Sequence, residues 1–157
     1  MANPHGELVA RLLVEASLAN IAGTAKGKFP IEGKPLTDPE RLGLGRRPGG
    51  TTMFYPVGES GGVFIDLHGA ATSIWFQNAD SSDTLAVVEK ALKTAYPKAT
   101  QVSDKAHPTD EWSRERSYDV ALGAGRVAVV DIGYPAPGAS PQGFLVRVIA
   151  YARKSTN

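Results

Sequence analysis

Asp66 and His68 are the residues whose types and spacing come closest to general acid–base chemistry in this sequence. They lie two positions apart in the alternating run GVFIDLHG (62–69), and residues at i and i+2 of a strand share one face. A carboxylate that orients an imidazole makes a reasonable general base. Arg147, Tyr151 or Arg153 could join that face from a neighbouring strand, with Arg147 holding an anionic substrate. The simpler interpretation, which we favour, is a solvated side of a sheet.

A second candidate site is the glycine- and arginine-rich stretch LGLGRRPGG (42–50). Backbone amides in such a loop can bind an anion, and Arg46 and Arg47 could grip a phosphate. However, the residues that follow predict a strand, whereas phosphate loops gain most from the N-terminus of a following helix. Pro48 also removes one amide donor. We therefore favour a connector and keep a phosphate-ligand site at residues 43–50 as the alternative.

The stretch HPTDEW (107–112) contains possible metal ligands. His107, Asp110 and Glu111 could bind a metal together with His68, but no second histidine stands at helical or hairpin spacing. We therefore predict a solvated acidic loop and no metal site. Trp112 is unusual among these charges, because a tryptophan there either covers the edge of the core or anchors a ligand or partner.

Composition excludes several classes of function. The chain has 157 residues, no cysteine and a net charge of +1, so thiol catalysis, thiolate zinc sites and iron–sulfur clusters are ruled out. The balanced charge gives no pull toward nucleic acid, and no apolar run approaches the roughly 20 residues of a membrane span. The N-terminus lacks the basic region of a signal peptide. We expect no cofactor, no nucleic-acid partner and a cytoplasmic protein by default, with a trimmed secretory precursor left open.

The order of elements predicts the fold class. Apolar spacing indicates a helix over about residues 7–22 that stops at Gly23, three strands (51–57, 62–69, 71–78), and a helix capped within Asp80–Asp83 and ended by Pro97. Four further strands follow, near TQVSD and at 117–123, 126–134 and 143–153. Without regular strand–helix alternation, we predict a two-layer α+β sandwich. It has a mostly antiparallel sheet of about six or seven strands and two principal helices, in a single domain over 1–157.

Three further expectations concern particular segments of the chain. Residues 24–50 read as a long connector that is either functional or mobile. Residues 104–116 read as a polar loop, and Tyr134–Phe144 as a stiff loop that could rim a pocket. In the second helix, Glu89 and Lys93 are expected to pair at i,i+4 outside the apolar stripe.

The first helix carries more apolar residues than one face can hold. Leu8, Val14, Leu18 and Ile21 lie beyond the stripe formed by Val9, Leu12 and Ala16. Leaving such side chains in water would forgo about 1.5–3 kcal/mol each. We therefore predict a homodimer through the Leu8–Ile21 helix, and the alternative is that residues 24–50 cover the helix.

No catalytic constellation outweighs its structural interpretation, so the leading functional hypothesis is a non-catalytic binding or protein-interaction domain. Its surplus apolar residues are those of the first helix and Trp112. The alternatives are a small enzyme that uses Asp66 and His68 on an anionic substrate, and a protein that binds a phosphate ligand through Arg46 and Arg47. A small-molecule ligand also stays open.

Overall fold

The structure, a computed structural model, describes residues 4–23, 34–35, 51–57, 61–68, 71–76, 83–109, 111, 113–123, 125–138 and 146–153. The helices are α1 (Pro4–Leu12), α2 (Ala19–Ala22) and α3 (Thr84–Ala95), and a π-helical segment, Leu13–Leu18, joins α1 to α2. The strands are β1 (Lys34–Pro35), β2 (Thr51–Val57), β3 (Gly61–His68), β4 (Ala71–Phe76), β5 (Thr100–Ala106), β6 (Ser113–Gly123), β7 (Arg126–Pro135) and β8 (Val146–Ala152).

The strands form one sheet in the order β1-β2-β3-β4-β8-β7-β6-β5. Every neighbouring pair is antiparallel. Because β1 has only two residues, seven longer strands carry the sheet. The predicted α+β fold with a mostly antiparallel sheet is therefore confirmed, and β2, β3 and β4 form an antiparallel meander. The apolar strand β7 lies in the interior of the sheet, between β6 and β8.

The helices cover one face of this sheet. Helix α1 packs against α3, β3 and β4, while α3 also packs against β7. Alternate strand residues supply the other half of the core, among them Ile65, Ile74, Val130 and Val148. The opposite face of the sheet, which we call the second face, takes the remaining alternate residues of each strand.

The first helix corrects one sequence expectation. Leu18 and Ile21 are only 0% and 7% exposed and belong to the core of the single chain. In a regular α-helix Ile21 would lie about 120° around the axis from Val9. The π-helical segment accommodates about one extra residue, which turns the following residues back by about 100° toward the core. The expectation that Leu18 and Ile21 lie off the buried face was therefore wrong, while Leu8 and Val14 are half-buried.

The end of the first helix is fixed as predicted at Gly23. This residue has a φ of 79°, a left-handed conformation that favours glycine, and its N–H bonds to the last turn. Arg126, at the start of β7, donates from Nη1 to the carbonyl of Ala22 at 3.1 Å. A cation at a helix C-terminus is stabilising, so the helix end is held directly to the sheet.

The segment 104–116 corrects a second expectation. Asp104–Ala106 continue β5, and Ser113–Arg116 begin β6, so only the residues between the strands form a connection. These polar residues form strands because they face opposite charges across the pair: Asp104 is the register partner of Arg116, and Lys105 of Glu115. Such opposite-charge pairs stabilise a sheet in place of apolar burial.

Within the described residues, none of the helices is both long and apolar enough to cross a membrane.

Candidate functional site

The sequence candidates Asp66 and Arg147 lie on the second face but not side by side. Asp66 is the register partner of Ser73, and Arg147 is the register partner of Trp75. The backbone of His68 pairs with Ala71, whose partner on β8 is Tyr151. Arg147 stands four residues from Tyr151, or ~14 Å along the strand. The backbone of Tyr151 is therefore in register with that of His68, with Ala71 between them, whereas Arg147 lies four residues further along β8.

The structure describes few of the other candidate residues. Arg46, Arg47, Asp110 and Trp112 lie outside the described residues, as do positions 139–144 of the predicted Tyr134–Phe144 rim. The His107 ring accepts a hydrogen bond from the backbone N–H of Thr109 at 3.2 Å, a local turn contact. In the part of the chain that the structure describes, no group of three His, Asp or Glu residues is placed to hold a metal.

The second face carries a groove of about 600 Å³. We call it the Tyr151 groove. Its floor comes from β6 and β7: Glu115, Ser117, Asp119, Val129 and Asp131. Its sides come from β5 (Val102, Ser103 and Lys105), from the end of β8 (Tyr151 and Ala152), and from Arg153, which follows β8. Its volume falls in the range of ordinary ligand sites, about 300–1,000 Å³.

Two apolar side chains stand out in this groove. Val102 is 51% exposed and Tyr151 is 38% exposed, and they are the exposed large hydrophobic residues of the described part of the chain. Val102 owes its position to an irregularity in the β5–β6 register between Gln101 and Ser103. Such bulges re-aim a side chain at the edge of a sheet. Both exposed apolar residues thus line the same groove.

Internal bonds fix part of the groove's polar surface. Arg153 is bound to Asp119 at 2.5 Å, and the Ser117 hydroxyl donates to Asp131 at 2.6 Å. Burial raises the pKa of the Tyr151 phenol, and the nearby carboxylates of Asp131, Glu115 and Asp119 raise it further. The surroundings of Tyr151 are therefore negative as well as partly apolar.

A row of aromatic rings crosses the second face on the other half of the sheet. Phe54 and Phe64 have ring centroids 4.9 Å apart, and Phe64 stacks on Trp75 at 5.5 Å. Trp75 is only 6% exposed although it lies opposite the helices. This row therefore acts as packing on the second face and leaves exposed apolar surface to the Tyr151 groove.

A polar cluster on the helix side was missed by the sequence reading. We call it the Asp104 cluster; its members are Glu89, Asp104, Arg114, Arg116, Tyr118 and Tyr134. Asp104 accepts hydrogen bonds from Arg116 Nη2 at 2.8 Å and from the Tyr134 hydroxyl at 2.6 Å. The signal was the alternation in SRERSYD (113–119), which places Arg114, Arg116 and Tyr118 on one face of β6.

Glu89 joins α3 to this cluster and corrects a third expectation. It accepts hydrogen bonds from Arg116 at 3.0 Å and from the Tyr118 hydroxyl. The predicted i,i+4 pair with Lys93 is replaced, because Glu89 faces β6 and its carboxylate satisfies two buried or half-buried donors there. Lys93 instead lies 5.9 Å from the centre of the Tyr118 ring.

The electrostatics of the Asp104 cluster are those of a closed network. Desolvation would raise the pKa of Asp104, but hydrogen bonds from Tyr134, Arg116 and Arg114 lower it on balance. The bond to Asp104 is the main reason that the pKa of Arg116 is raised. Arg116 binds both Glu89 of α3 and Asp104 of the edge strand β5, so the cluster ties α3 to the edge of the sheet.

No family model matches the chain, and neither a curated protein nor a solved structure matches it.

Proposed function

We propose that this chain is a non-catalytic binding domain whose site is the Tyr151 groove. One observation carries the proposal: Val102 and Tyr151, the exposed large hydrophobic residues of the described part of the chain, line the same groove. Exposed tyrosines supply much of the binding energy at interfaces because they add contact area at low entropic cost. A sheet face with helices behind it also gives such a site a rigid support.

The polar groups of the groove support binding rather than catalysis. Ser117 donates to Asp131, and Asp119 is held by Arg153, so these groups fix the shape of the floor. A catalytic site would pair a nucleophile with a base and a third group that orients the base. The groove is also lined by residues of four strands and is open to solvent, so it can accept part of a larger partner.

A second copy of the chain is the other candidate partner. Of the four residues that suggested a homodimer, Leu8 and Val14 remain half-buried, while Leu18 and Ile21 lie in the core. A contact through the first helix would therefore be smaller than the sequence suggested. It would leave the Tyr151 groove on the opposite face of the sheet available for another partner.

The binding proposal is tested by nuclear magnetic resonance of the full ¹⁵N-labelled chain. The probes are a fragment library and three capped eight-residue peptides that share a serine–valine framework and carry two lysines, two glutamates or two glutamines. We expect at least one probe to shift amides of β5 to β8 around the groove. Tyr151→Ser should weaken that probe's binding at least tenfold, as truncation of an aromatic anchor does.

Lys98→Ala, an exposed change in the turn after α3, serves as the control and should leave binding unchanged. Probes that shift only residues elsewhere, or a full set without any shift at the groove, would overturn the proposal.

A further inference from the structure

The charges of the Tyr151 groove indicate which partner it would accept, provided that the groove is the binding site proposed above. The groove is lined by three carboxylates, Glu115, Asp119 and Asp131, and by two cations, Lys105 and Arg153. Arg153 is bound to Asp119 at 2.5 Å, so these two charges largely cancel. Lys105 faces Glu115 across the β5–β6 pair. The lining therefore has one carboxylate more than it has cations, and among the lining residues Asp131 is the carboxylate without an opposite charge beside it.

Tyr151 lies among these carboxylates. It follows Ile149, the register partner of Asp131, by two residues on the same face of β8, so its ring is a diagonal neighbour of Asp131. The same negative surroundings that raise the pKa of its phenol would attract a cation. A cation over a tyrosine ring gains further from the ring's own quadrupole.

Val102 supplies the apolar half of the match. It is 51% exposed on the β5 side of the groove, across from Tyr151 on the β8 side. A lysine or arginine side chain has an apolar stem and a charged head. Its stem would cover apolar surface between Val102 and Tyr151, while its charged head reached Asp131.

We propose that the Tyr151 groove binds an extended polypeptide segment of a partner protein through a lysine or arginine side chain. The cationic head lies against the Tyr151 ring and faces Asp131. Charge complementarity selects this occupant, because the excess negative charge of the lining, at Asp131, repels an acidic segment and attracts a basic one. The open groove of about 600 Å³ has room for a short stretch of chain around that side chain.

The three capped peptides test the charge of the partner by fluorescence anisotropy with the full chain. We expect the lysine peptide to bind at least tenfold more tightly than the glutamine peptide, and the glutamate peptide most weakly. The affinity for the lysine peptide should fall as salt is added, because screening weakens attraction between exposed charges.

Matched variants separate charge from fold. Asp131→Asn keeps an acceptor for Ser117 and should weaken the lysine peptide about tenfold, a typical effect for a charge-assisted contact, with no effect on the glutamine peptide. Tyr151→Phe keeps the ring and should preserve binding, whereas Tyr151→Ser should abolish it. Glu111→Gln, at an exposed carboxylate outside the groove, is the control.

The outcomes distinguish the two proposals. If the glutamine or glutamate peptide, or a neutral fragment, binds the groove as tightly as the lysine peptide, the groove is a binding site and the cationic partner is wrong. Equal affinity of wild type and Asp131→Asn for the lysine peptide also overturns the cationic partner. If no probe perturbs the groove at all, the binding function itself is overturned.

Discussion

Asp104 shows how single polar residues hold this fold together. Its carboxylate accepts hydrogen bonds from Arg114, Arg116 and Tyr134, which join β5, β6 and β7. Asp104→Asn removes the charge from this network and should destabilise the protein by about 2 kcal/mol at neutral pH. Urea unfolding followed by circular dichroism measures the loss.

The same residue gives a pH dependence with a defined sign. The pKa of Asp104 is lowered in the folded protein, so its contribution is fully present above the unfolded value of about 3.9 and is lost as the pH falls through the folded pKa. The difference between wild type and Asp104→Asn should therefore shrink in acid as the pH falls from about 4 through the lowered pKa of folded Asp104. A difference that persists unchanged there, or one matched by the exposed-site control Glu111→Gln, would contradict the role given to Asp104.

Tyr118 gives the opposite dependence in alkali. Burial raises its pKa to about 12, aided by its hydrogen bond to Glu89 and by the charge of that carboxylate. Its stabilising contribution is present below the unfolded value of about 10 and is lost as the pH rises through about 12. Absorbance at 295 nm should show a late-titrating tyrosine that Tyr118→Phe removes.

Glu89→Gln should move that late step to lower pH, because the neighbouring negative charge is gone. A titration in which Glu89→Gln leaves the late step in place would show that Glu89 does not act on Tyr118.

At the scale of elements, the π-helical segment decides which residues of the first helix are buried. It contains Glu15, which is exposed and binds Arg11 at 2.5 Å, and Ser17, a buried hydroxyl without a hydrogen-bond partner among the described residues. The wider i→i+5 turn adds about one residue to the helix at this point. The segment therefore lets Leu18 and Ile21 face the same core as Val9.

Changing the length of this segment tests that role. Deletion of Glu15 should restore a regular α-helix, keep Leu18 and Ile21 in the core, and change the free energy of unfolding by within about 1 kcal/mol, since an exposed ion pair is worth little. Insertion of an alanine after Glu15 should turn Leu18 and Ile21 away and cost about 3 kcal/mol or more.

The two unfolding free energies are compared by urea denaturation, with Glu15→Ala as the control for the loss of the side chain alone. Equal costs for the deletion and the insertion would show that the π-helical turn does not set the register of the helix.

For the whole molecule, the helices lie on one face of the sheet and the groove on the other. Burial of Leu18 and Ile21 removes half of the apolar surface that suggested a homodimer, and Leu18→Glu would now disrupt the core rather than a dimer contact. Val14, which is half-buried, is the better position to test.

The homodimer stays a prediction with a specific test. Light scattering should give about twice the chain mass of 16.6 kDa for wild type. It should give the single mass for Val14→Glu, with an unchanged circular dichroism spectrum, because a charge at the contact opposes association. Val14→Thr is the matched control and should stay dimeric. A wild-type mass of 16.6 kDa at all accessible concentrations would refute the dimer.

The sequence by itself determined the elements whose causes are local. The meander β2 to β4 follows from period-two alternation and short turns, and α3 from the apolar stripe that contains Val88 and Leu92 and ends before Pro97. The α+β class follows from the order of these elements, because they alternate too rarely for a parallel sheet. Alternation also allowed Asp66 and Arg147 to share one face, because each stands between apolar residues that point to the other side of its own strand.

Only the tertiary structure decided which partners those local faces meet. Glu89 binds Arg116, which lies 27 residues away, rather than Lys93 four residues away. The charges at 104–116 form strands because they meet across β5 and β6. The Tyr151 groove exists because β8, the last strand in the chain, lies between β4 and β7 and so beside the strands that line the rest of the groove. The physical reason is the same in each case. The stabilising contacts join segments that are distant in the sequence, and the pattern of residues around one position does not show which distant segment will pack against it.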